Sequence, residues 1–439
     1  MKQKYLWWSV PSALACAAII TISASGSPNT SDVKSVISGK AAFDDYHSEK
    51  PGDFRKITVA DLPAPFATES AGNPPKVVPR PANMWPKAPA GFEVQLYAND
   101  DMKEPRELRT APNGDLFLAD SSANQIDIFR GITKDGKPEQ RSIFATGLKL
   151  PFGIAFYPNG ANPQWVYIGN TGSVVRFPYH NGDLKATGPA EVIIPSLPAG
   201  GGHSTRDLAF SPDGTKLFVA VGSASNVNDP DTHPKEFHRA DILEFTPDGK
   251  FVKVYAYGIR NPVGIAVNPT TGQLWCSVNE RDALGDNLVP DYITSVKEGG
   301  FYGWPYYYMG DHPDPRLNGA HPELKDKVIV PDVLLQPHNA SLEMTFYRGN
   351  QFPRQYQGDI FAAEHGSWNK AVRAGYEVVR VPLNDGHSNG VYEDFLTGFV
   401  TPEGDAWGRP VGVAVAPDGS LMVSDDGSKS IWRVVYTGK

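Results

Sequence analysis

The feature that most constrains the fold is a recurring hairpin: a short apolar strand, a turn of proline, one or two polar residues and glycine, and a second apolar strand. Proline presets the backbone of such a turn and glycine supplies its positive φ, so each copy predicts a β-hairpin. The copies lie at residues 108–118, 153–160, 207–219, 264–275 and 412–423.

The spacing of these copies predicts the architecture. The turn prolines stand at 112, 158, 212, 269 and 417, and the first three gaps each fit one four-stranded blade. The last gap is long enough for two blades, with a degenerate sixth unit at 342–347 and 359–363. We therefore predict an all-β fold, a six-bladed β-propeller of four-stranded antiparallel blades, because a closed ring leaves no open sheet edge. A seventh blade within residues 310–340 is the less economical alternative.

Residues 1–25 have the order of an export signal, with two lysines, an uncharged apolar run to residue 22, and small residues near Ser25. Signal peptidase reads that order, so we expect cleavage near Ser25 and a periplasmic or secreted protein. The apolar run is also just long enough for an uncleaved anchor, and Cys16 leaves a lipoprotein site open. No second run of that length follows, so we expect no membrane span in the mature protein.

The remaining chain divides into two parts. Residues 26–90 are polar and then proline-rich, which predicts extended chain, either a linker or an arm laid over the propeller. Residues 91–439 form the predicted propeller. With Cys16 in the leader, no internal disulfide is expected, and Cys276, in a predicted strand, is expected to be a buried thiol.

Several classes of function do not fit. The net charge of −8 argues against a nucleic-acid partner, since phosphates require a basic face. The sequence lacks the glycine-rich turn of a dinucleotide-binding fold, the nucleophile elbow of an α/β-hydrolase, and the HExxH, paired-cysteine and EF-hand patterns of common metal sites.

The candidate site follows from propeller geometry. Loops that enter the innermost strand of each blade form one rim of the central funnel, so residues just before each hairpin should converge. Arginines there suit a ligand with carboxylates, and a neutral histidine suits proton abstraction near pH 7. A structural role for each side chain remains the alternative. The polar residues at these positions, or in the loops between blades, are His203, Arg206, Arg260, Asn261, His338, His365 and Arg409.

The loop at residues 279–287, Asn-Glu-Arg-Asp-Ala-Leu-Gly-Asp-Asn, is rich in hard oxygen donors, which are the ligands that Ca²⁺ prefers. A solvated acidic loop is the alternative interpretation.

Taken together, the ordered motifs resemble the glucose/sorbosone dehydrogenase family, soluble quinoproteins built on a six-bladed propeller, and are most similar to its sorbosone dehydrogenase-like branch. The resemblance covers roughly residues 90–437. The segments that carry it are Gly201-Gly-His203, Gly258-Ile-Arg-Asn-Pro262, Val278-Asn-Glu-Arg-Asp with Gly300-Phe-Tyr-Gly-Trp-Pro305, His365-Gly-Ser-Trp-Asn369 and Arg409-Pro-Val-Gly412.

This resemblance implies the cofactor pyrroloquinoline quinone (PQQ), a planar tricarboxylate quinone. It implies that His203 is the general base, taking the proton of a sugar hydroxyl as hydride passes to the quinone. Arg260 would neutralise the oxyanion that develops on the quinone, Asn261 would hold a PQQ oxygen, and Arg409 would pair with a PQQ carboxylate. His365, His338 and Arg206 are the further expected cofactor contacts.

The resemblance also implies a Ca²⁺ ion on the quinone, held largely by backbone carbonyls. By position these ligands would be Glu280 and Arg281, with Asp286 nearby. Two departures stand out. Gly202 replaces the acidic residue that precedes the catalytic histidine in soluble glucose dehydrogenases, so the base must be oriented in another way. Their lysine beneath the cofactor has no clear match, since His365, Lys370 and Arg373 all lie in that stretch.

The expected function is thus PQQ-dependent oxidation of a sugar or a related aldose or polyol, sorbosone-like or glucose-like. Electrons would pass to an external acceptor, a quinone or a cytochrome. Two alternatives remain at this point: a non-catalytic propeller that binds a glycan or a protein, and a Ca²⁺-dependent lactonase-type hydrolase.

Overall fold

The recurring hairpins form the two innermost strands of successive blades in the computed structural model, which describes residues 35–439. Six four-stranded antiparallel units follow one another, and the first strand of each blade contacts the first strand of the next. This confirms the predicted six-bladed propeller. Residues 310–340 contribute a short hairpin, 3₁₀ turns and the outer strand of blade four, so they form no seventh blade.

The strands of each blade run outward from the axis in chain order, except that the outer strand of blade six comes from the N-terminal side. They are Pro105–Thr110, Leu116–Asp120, Gln125–Arg130 and Gln140–Ala145 (blade one); Ile154–Tyr157, Trp165–Asn170, Ser173–Pro178 and Glu191–Ile194 (blade two); Leu208–Phe210, Leu217–Val221, Asp241–Phe245 and Phe251–Tyr257 (blade three); Pro262–Val267, Leu274–Val278, Pro290–Ser295 and Val333–Pro337 (blade four); Ser341–Phe346, Ile360–Glu364, Glu377–Val381 and Tyr392–Leu396 (blade five); Pro410–Val415, Leu421–Asp425, Ser430–Tyr436 and Phe92–Ala98 (blade six).

Short elements connect these strands. Over residues 35–439 the helical segments are all 3₁₀ turns, and none is long or apolar enough to cross a membrane. The expected export signal lies outside the described residues. Two hairpins pair Tyr307–Tyr308 with His312–Pro313 and Leu383–Asn384 with His387–Ser388. The 3₁₀ turns are Gly39–Ala42, Val59–Asp61, Ser121–Ala123, Pro234–Glu236, Pro315–Leu317, Pro322–Lys327 and Arg354–Tyr356.

Blade six closes the ring with strands from both ends of the propeller sequence. Phe92–Ala98 pairs antiparallel with Ser430–Tyr436, with Val94 opposite Val434. The core lies in layers between blades. Phe117 of blade one, for example, shares an apolar cluster with Ile154 of blade two. Each blade therefore buries one face against the next, and no blade is expected to be stable alone. Cys276 is a buried free thiol in one of these layers, as predicted.

Three buried carboxylates from alternate blades meet around one guanidinium among the innermost strands. Arg109 Nη2 lies 2.7 Å from Glu107, 3.4 Å from Asp207 and 3.6 Å from Glu343. Each carboxylate also accepts a backbone N–H from the next blade, so blades one, three and five are each joined to their successor at the centre of the ring. The donors are Ile154 to Glu107 (3.0 Å), Ile265 to Asp207 (2.7 Å) and Val413 to Glu343 (3.2 Å).

Residues 35–91 form an arm that lies on the propeller. Asp53–Lys56 pairs antiparallel with the outer strand of blade five, and Ile37–Ser38 pairs parallel with Asp53–Lys56, which extends that blade to six strands. Arg55 of the arm makes a buried bidentate ion pair with Asp394 of blade five, at 2.9–3.0 Å.

Candidate active site

A cavity of about 480 Å³ lies among the loops that precede the innermost strands of blades three to six. Its volume is within the range typical of small-molecule sites, about 300–1,000 Å³. The structure brings together six of the residues that the sequence singled out, from positions up to two hundred residues apart. These lining residues are His203, Arg260, Glu280, His338, His365 and Arg409.

His203 enters the cavity wall from the loop before blade three. Its Nδ1 lies 2.8 Å from the carbonyl oxygen of Ser223. A carbonyl can only accept, so Nδ1 carries the proton and Nε2 is left with a free lone pair. Nε2 makes no hydrogen bond to any residue from 35 to 439. The Ser223 carbonyl thus supplies the orientation that an acidic residue at position 202 would otherwise give.

The environment keeps His203 uncharged. Burial lowers its pKa to about 3, and the nearby Arg260 guanidinium adds to the shift. The imidazole is therefore a proton acceptor across the whole physiological pH range. The close packing around it depends on Gly222, because a Cβ there would lie 2.0 Å from Asn261 Oδ1 and 2.8 Å from His203 Cβ.

Arg260 is held rigidly at the wall between blades three and four. Its guanidinium donates to Asn226 Oδ1 and Asp282 Oδ2, both at 3.0 Å, and to the Glu280 carbonyl at 2.6 Å. Although burial favours the neutral acid, this guanidinium lowers the pKa of Asp282, so the pair is ionic. Asn261 is different: its side chain lies behind the wall against Gly222, and its buried Oδ1 has no partner within residues 35–439.

Arg409 and His365 form the opposite side of the cavity. Arg409 Nε donates to the His365 carbonyl at 3.3 Å, while its terminal nitrogens make no hydrogen bond or ion pair to the described part of the chain. Those nitrogens are available for an anion. His365 Nε2 lies 2.8 and 3.0 Å from the two oxygens of Asp426, which Arg106 also contacts at 2.6 Å. Burial lowers the pKa of His365 to about 4.

His338 has both ring nitrogens occupied, so it is poorly suited to be the base. Its Nε2 donates to the Gly285 carbonyl at 3.1 Å, and its Nδ1 accepts from Asn369 Nδ2 at 3.1 Å. Asn369 also donates to Asp282 Oδ1 at 2.7 Å. This leaves Asn369 Oδ1 at the cavity, buried and without a partner among the described residues, as a possible acceptor for a ligand donor.

The structure corrects the expectation for Arg206. This side chain is fully buried and donates to the carbonyls of Pro198, His203 and Thr205. It is committed to the backbone of the loop that carries His203 and does not reach the cavity, so it supports the base rather than a cofactor.

The structure corrects one expected metal ligand, Asp286, and leaves Arg281 only its backbone carbonyl. The Arg281 side chain is fully buried away from the cavity; it pairs with Glu280 at 2.9 Å and Asp314 at 3.2 Å. Asp286 has both carboxylate oxygens occupied by backbone N–H groups, of Ala71 at 3.0 Å and Ala371 at 2.7 Å. Neither side chain is free to bind Ca²⁺.

The structure also decides between the three candidates for the missing lysine. Of His365, Lys370 and Arg373, only His365 lines the cavity. Lys370 donates to the Asp44 carbonyl at 3.1 Å, and Arg373 donates to the Asn73 carbonyl at 2.7 Å, so both bind the arm instead.

Sequence reasoning missed several residues of this site. Asp282 and Asn369 lie inside motifs that were recognised, but nothing in the pattern distinguished them from their neighbours. Arg106 lies at the start of the first strand of blade one, and Asp426 directly follows the second strand of blade six; position along a blade was the only signal that could have found them.

Acidic side chains at the cavity already form ion pairs or accept hydrogen bonds from the protein itself. Glu280 pairs with Arg281, and Asp291 accepts the backbone N–H groups of Glu280 and Ala340, both at 2.7 Å, while burial raises its pKa to about 7. A separate cluster of Asp229, Asp231 and His321 has ligand atoms within 4.8 Å of one another, but none of the three lines the cavity.

The chain is similar to known proteins over most of its length. The family model described as Glucose / Sorbosone dehydrogenase matches residues 102–433. An uncharacterized protein of Borreliella burgdorferi is 30% identical over 364 residues, which cover 80% of this chain and 90% of that protein. Aldose sugar dehydrogenase YliI of Escherichia coli is 28% identical over 309 residues, which cover 63% and 79% respectively.

A solved structure shares the fold. The holo form of the pyranose dehydrogenase PQQ domain from Coprinopsis cinerea superimposes with a TM-score of 0.67 at 21% identity. The match covers 81% of this chain and 98% of that one.

Proposed function

This chain belongs to the glucose/sorbosone dehydrogenase family, and we propose that it is a PQQ-dependent dehydrogenase that oxidises a sugar or a related aldose or polyol. The observation that carries the proposal is the meeting, in one cavity, of Arg260, Arg409 and a His203 whose Nε2 is free to accept a proton. The names of the similar proteins, an aldose sugar dehydrogenase and a PQQ domain of a pyranose dehydrogenase, support the same chemistry.

The donor set of the cavity fits PQQ. A tricarboxylate requires cationic or N–H donors, and the terminal nitrogens of Arg409 have no partner among residues 35–439. Arg260 adds a second guanidinium at the wall, already oriented by Asn226 and Asp282. Asn369 lines the same wall, where its Nδ2 connects His338 with Asp282. Asn261 lies behind the wall, so we assign it to supporting His203 and Gly222 rather than to the cofactor.

When bound, PQQ supplies a quinone that accepts a hydride from the carbon bearing the reactive hydroxyl. His203 Nε2 removes the hydroxyl proton, so the two electrons leave with the hydride and the proton stays on the imidazole. Arg260 stabilises the negative charge that develops beside it.

Calcium is part of the proposal, with backbone carbonyls rather than the Asp286 carboxylate as its expected ligands. The side chains of Glu280 and Arg281 pair with each other, so these residues would act through backbone carbonyls. Asn279 lines the same cavity and offers a further backbone carbonyl, whereas both carboxylate oxygens of Asp282 are occupied, by Asn369 and by Arg260. The ion would polarise the quinone. Removal by a chelator should abolish turnover, and Ca²⁺ with PQQ should restore it.

The test is a cofactor titration followed by a substrate screen. The purified protein should bind PQQ in the presence of Ca²⁺, with fluorescence quenching as the readout, and should then bleach an electron-acceptor dye with one or more of a panel of aldoses, sorbosone and polyols. Arg409→Ala should weaken PQQ binding by about 30-fold or more, because it removes a charge-assisted pair from a partly desolvated ligand. The matched control is Arg348→Ala, which removes an exposed arginine outside the cavity.

Each alternative predicts a different result. A binding module would retain a glycan or protein without bleaching the dye at any PQQ concentration. A lactonase-type hydrolase would open lactones with no PQQ added. Sugar oxidation that needs no PQQ, or PQQ binding unaffected by Arg409→Ala, would contradict the proposed site.

We also propose, from the N-terminal pattern alone, that the protein is exported to the periplasm or secreted and that it passes electrons to an external quinone or cytochrome. N-terminal sequencing of the exported protein should give a start near Ser25, and a start at Met1 would contradict cleavage.

A further inference from the structure

A short segment of the arm crosses two loops of the cavity wall. The arm segment (residues 66–73) lies against the acidic loop (residues 282–288) and the tryptophan loop (residues 366–373). Both loops border the cavity, the first through Asp282 and the second through Trp368. The arm segment also precedes the region that the family model matches, residues 102–433.

Four hydrogen bonds bind the arm segment to the acidic loop, three of them to its backbone and one to the Asp286 side chain. The Phe66 N–H donates to the Leu284 carbonyl at 2.7 Å. In the other direction, the N–H of Gly285 donates to Ser70 Oγ and that of Asp286 to Thr68 Oγ1, both at 2.9 Å. The contact is close: a Cβ on Gly285, where φ is +117°, would lie 2.9 Å from Thr68 Oγ1.

Asn73 binds the same segment to the tryptophan loop with both its backbone and its side chain. Its N–H donates to the Trp368 carbonyl at 2.8 Å, and its Nδ2 donates to the carbonyls of Ala371 at 3.0 Å and Lys370 at 3.3 Å. Arg373 returns a hydrogen bond to the Asn73 carbonyl at 2.7 Å. One arm residue thus pairs with three backbone carbonyls of this loop.

Asp286 connects the arm segment, the acidic loop and the tryptophan loop. Its carboxylate, which belongs to the acidic loop, accepts from Ala71 of the arm segment at 3.0 Å and from Ala371 of the tryptophan loop at 2.7 Å. This explains why an acidic side chain stands at this position although it binds no ligand of the cavity.

On the cavity side the same two loops are connected by side chains of the site. The carbonyl of Gly285 accepts from His338, His338 accepts from Asn369, and Asn369 donates to Asp282. Asp282 in turn pairs with Arg260. The arm segment, the two loops and the cavity side chains are therefore joined in one continuous hydrogen-bond network, with the arm segment on its outer side.

We propose that the arm segment positions one wall of the active site. It fixes the distance between the acidic loop and the tryptophan loop, and thereby the placement of Asn369, Asp282 and Arg260 against a bound ligand. Thr68, Ser70 and Asn73 are positioning residues, because they act through these loops. The identity of that ligand, PQQ with a sugar, rests on the proposed function; the connection between arm and wall does not.

The experiment compares point variants of the full chain. Thr68→Val removes the acceptor for Asp286 N–H, Thr68→Ser retains it, and Asn73→Ala removes the three side-chain bonds to the tryptophan loop, two from Nδ2 and one to Oδ1. In the cofactor-free protein, Thr68→Val and Asn73→Ala should speed amide hydrogen exchange in residues 282–288 and 366–373, and Thr68→Ser should not. In the loaded enzyme, KM for the sugar or Kd for PQQ should rise about 5-fold for Thr68→Val, which loses one hydrogen bond of about 1 kcal/mol, and up to about 30-fold for Asn73→Ala, which loses at least two.

A purely structural role would instead lower the melting temperature and kcat together, with the rise in KM absent. The matched control is Lys76→Ala on the same arm, whose exposed ion pair with Asp405 lies outside both loops, and it should change none of these quantities. Wild-type exchange in both loops, or unchanged KM and Kd in Thr68→Val, would overturn the inference. If Asn73→Ala fails to fold, the Thr68 pair decides. If the wild-type protein itself neither binds PQQ nor oxidises a sugar, the proposed function fails, while the exchange experiment still tests the arm.

Discussion

At the scale of single residues, the carbonyl of Ser223 determines the chemistry available to His203. It holds the proton on Nδ1 and leaves Nε2 as the acceptor. The other two histidines of the cavity are engaged differently, since His338 uses both nitrogens and His365 is paired with Asp426. Of the three, only His203 combines a place in the cavity wall with a free acceptor nitrogen.

We therefore expect His203→Ala to lower kcat by about 10²–10⁴, the usual contribution of a positioned general base. PQQ binding and the melting temperature should change little, because the residue borders a cavity rather than filling the core. Steady-state and titration measurements check this, with the exposed His233→Ala as the control. Near wild-type turnover by His203→Ala would transfer the role to another group.

The lowered pKa of His203 also predicts a pH dependence. Burial, aided by Arg260, lowers the pKa to about 3, against an ordinary value near 6.5 in the unfolded chain. Between those pH values the unfolded chain binds one more proton, so the free energy of unfolding falls as the pH falls. His203→Gln should lose less stability than wild type between pH 7 and pH 4, by up to about 1.4 kcal/mol for each pH unit. Urea titrations check this, and an NMR midpoint between 6 and 7 for His203 would contradict it.

At the scale of elements, the arm adds a strand where blade five would otherwise end. The pairing of Asp53–Lys56 with Tyr392–Leu396 covers the edge of that sheet, and the Arg55–Asp394 ion pair anchors it in a site that excludes water. Arg55 also faces the buried carboxylate of Glu377, so it is the cation on which several acidic groups depend.

Arg55→Ala should destabilise the protein by about 3–5 kcal/mol, because it leaves Asp394 buried and unpaired. Denaturation midpoints measure the loss, and hydrogen exchange shows whether it begins with release of the arm strand. Lys76→Ala, at an exposed arm ion pair, should leave the midpoint at its wild-type value. Equal effects of the two substitutions would mean that the buried pair contributes no more than a surface pair.

At the scale of the whole molecule, closure of the ring concentrates charge at its centre. Glu107, Asp207 and Glu343 come from alternate blades and share the single guanidinium of Arg109. Burial, and repulsion by Asp207, raise the pKa of Glu107 well above its usual range, and burial raises that of Glu343 as well. The ring therefore holds protons at its centre that the unfolded chain would release.

Glu107→Gln tests this arrangement. The amide oxygen can still accept from Ile154 and Arg109, so the link between blades one and two is kept. In wild type the folded state retains a proton that the unfolded chain has lost above about pH 4.5, so stability falls as the pH rises. The variant lacks that proton, and it should match wild type near pH 5 and exceed it near pH 9 in urea denaturation. The exposed Glu93→Gln is the control, and a constant difference across this range would contradict shared protonation at the centre.

The sequence by itself determined the blades and the approximate place of the site. Proline and glycine act on the backbone of the turn in which they stand, so the hairpins at 108–118 and 412–423 were predictable without any knowledge of their partners. Because every blade repeats the same register, the residues before each hairpin had to face one rim. His203, Arg260 and Arg409 were found in this way.

Only the tertiary structure decided where the loop side chains point. Nothing in the local sequence shows whether Asp286 binds a metal or connects two segments of the chain. The N–H group that donates to its carboxylate belongs to Ala71, more than two hundred residues away. The partners of Arg206 and Arg281 could not be predicted for the same reason, because the carbonyls and carboxylates that they bind belong to irregular segments. Loops have no periodicity from which orientation can be read. A buried charged group pairs with whichever partner the assembled fold brings within hydrogen-bonding distance. An unpaired one would cost several kcal/mol, which is comparable to the free energy of unfolding of a whole domain.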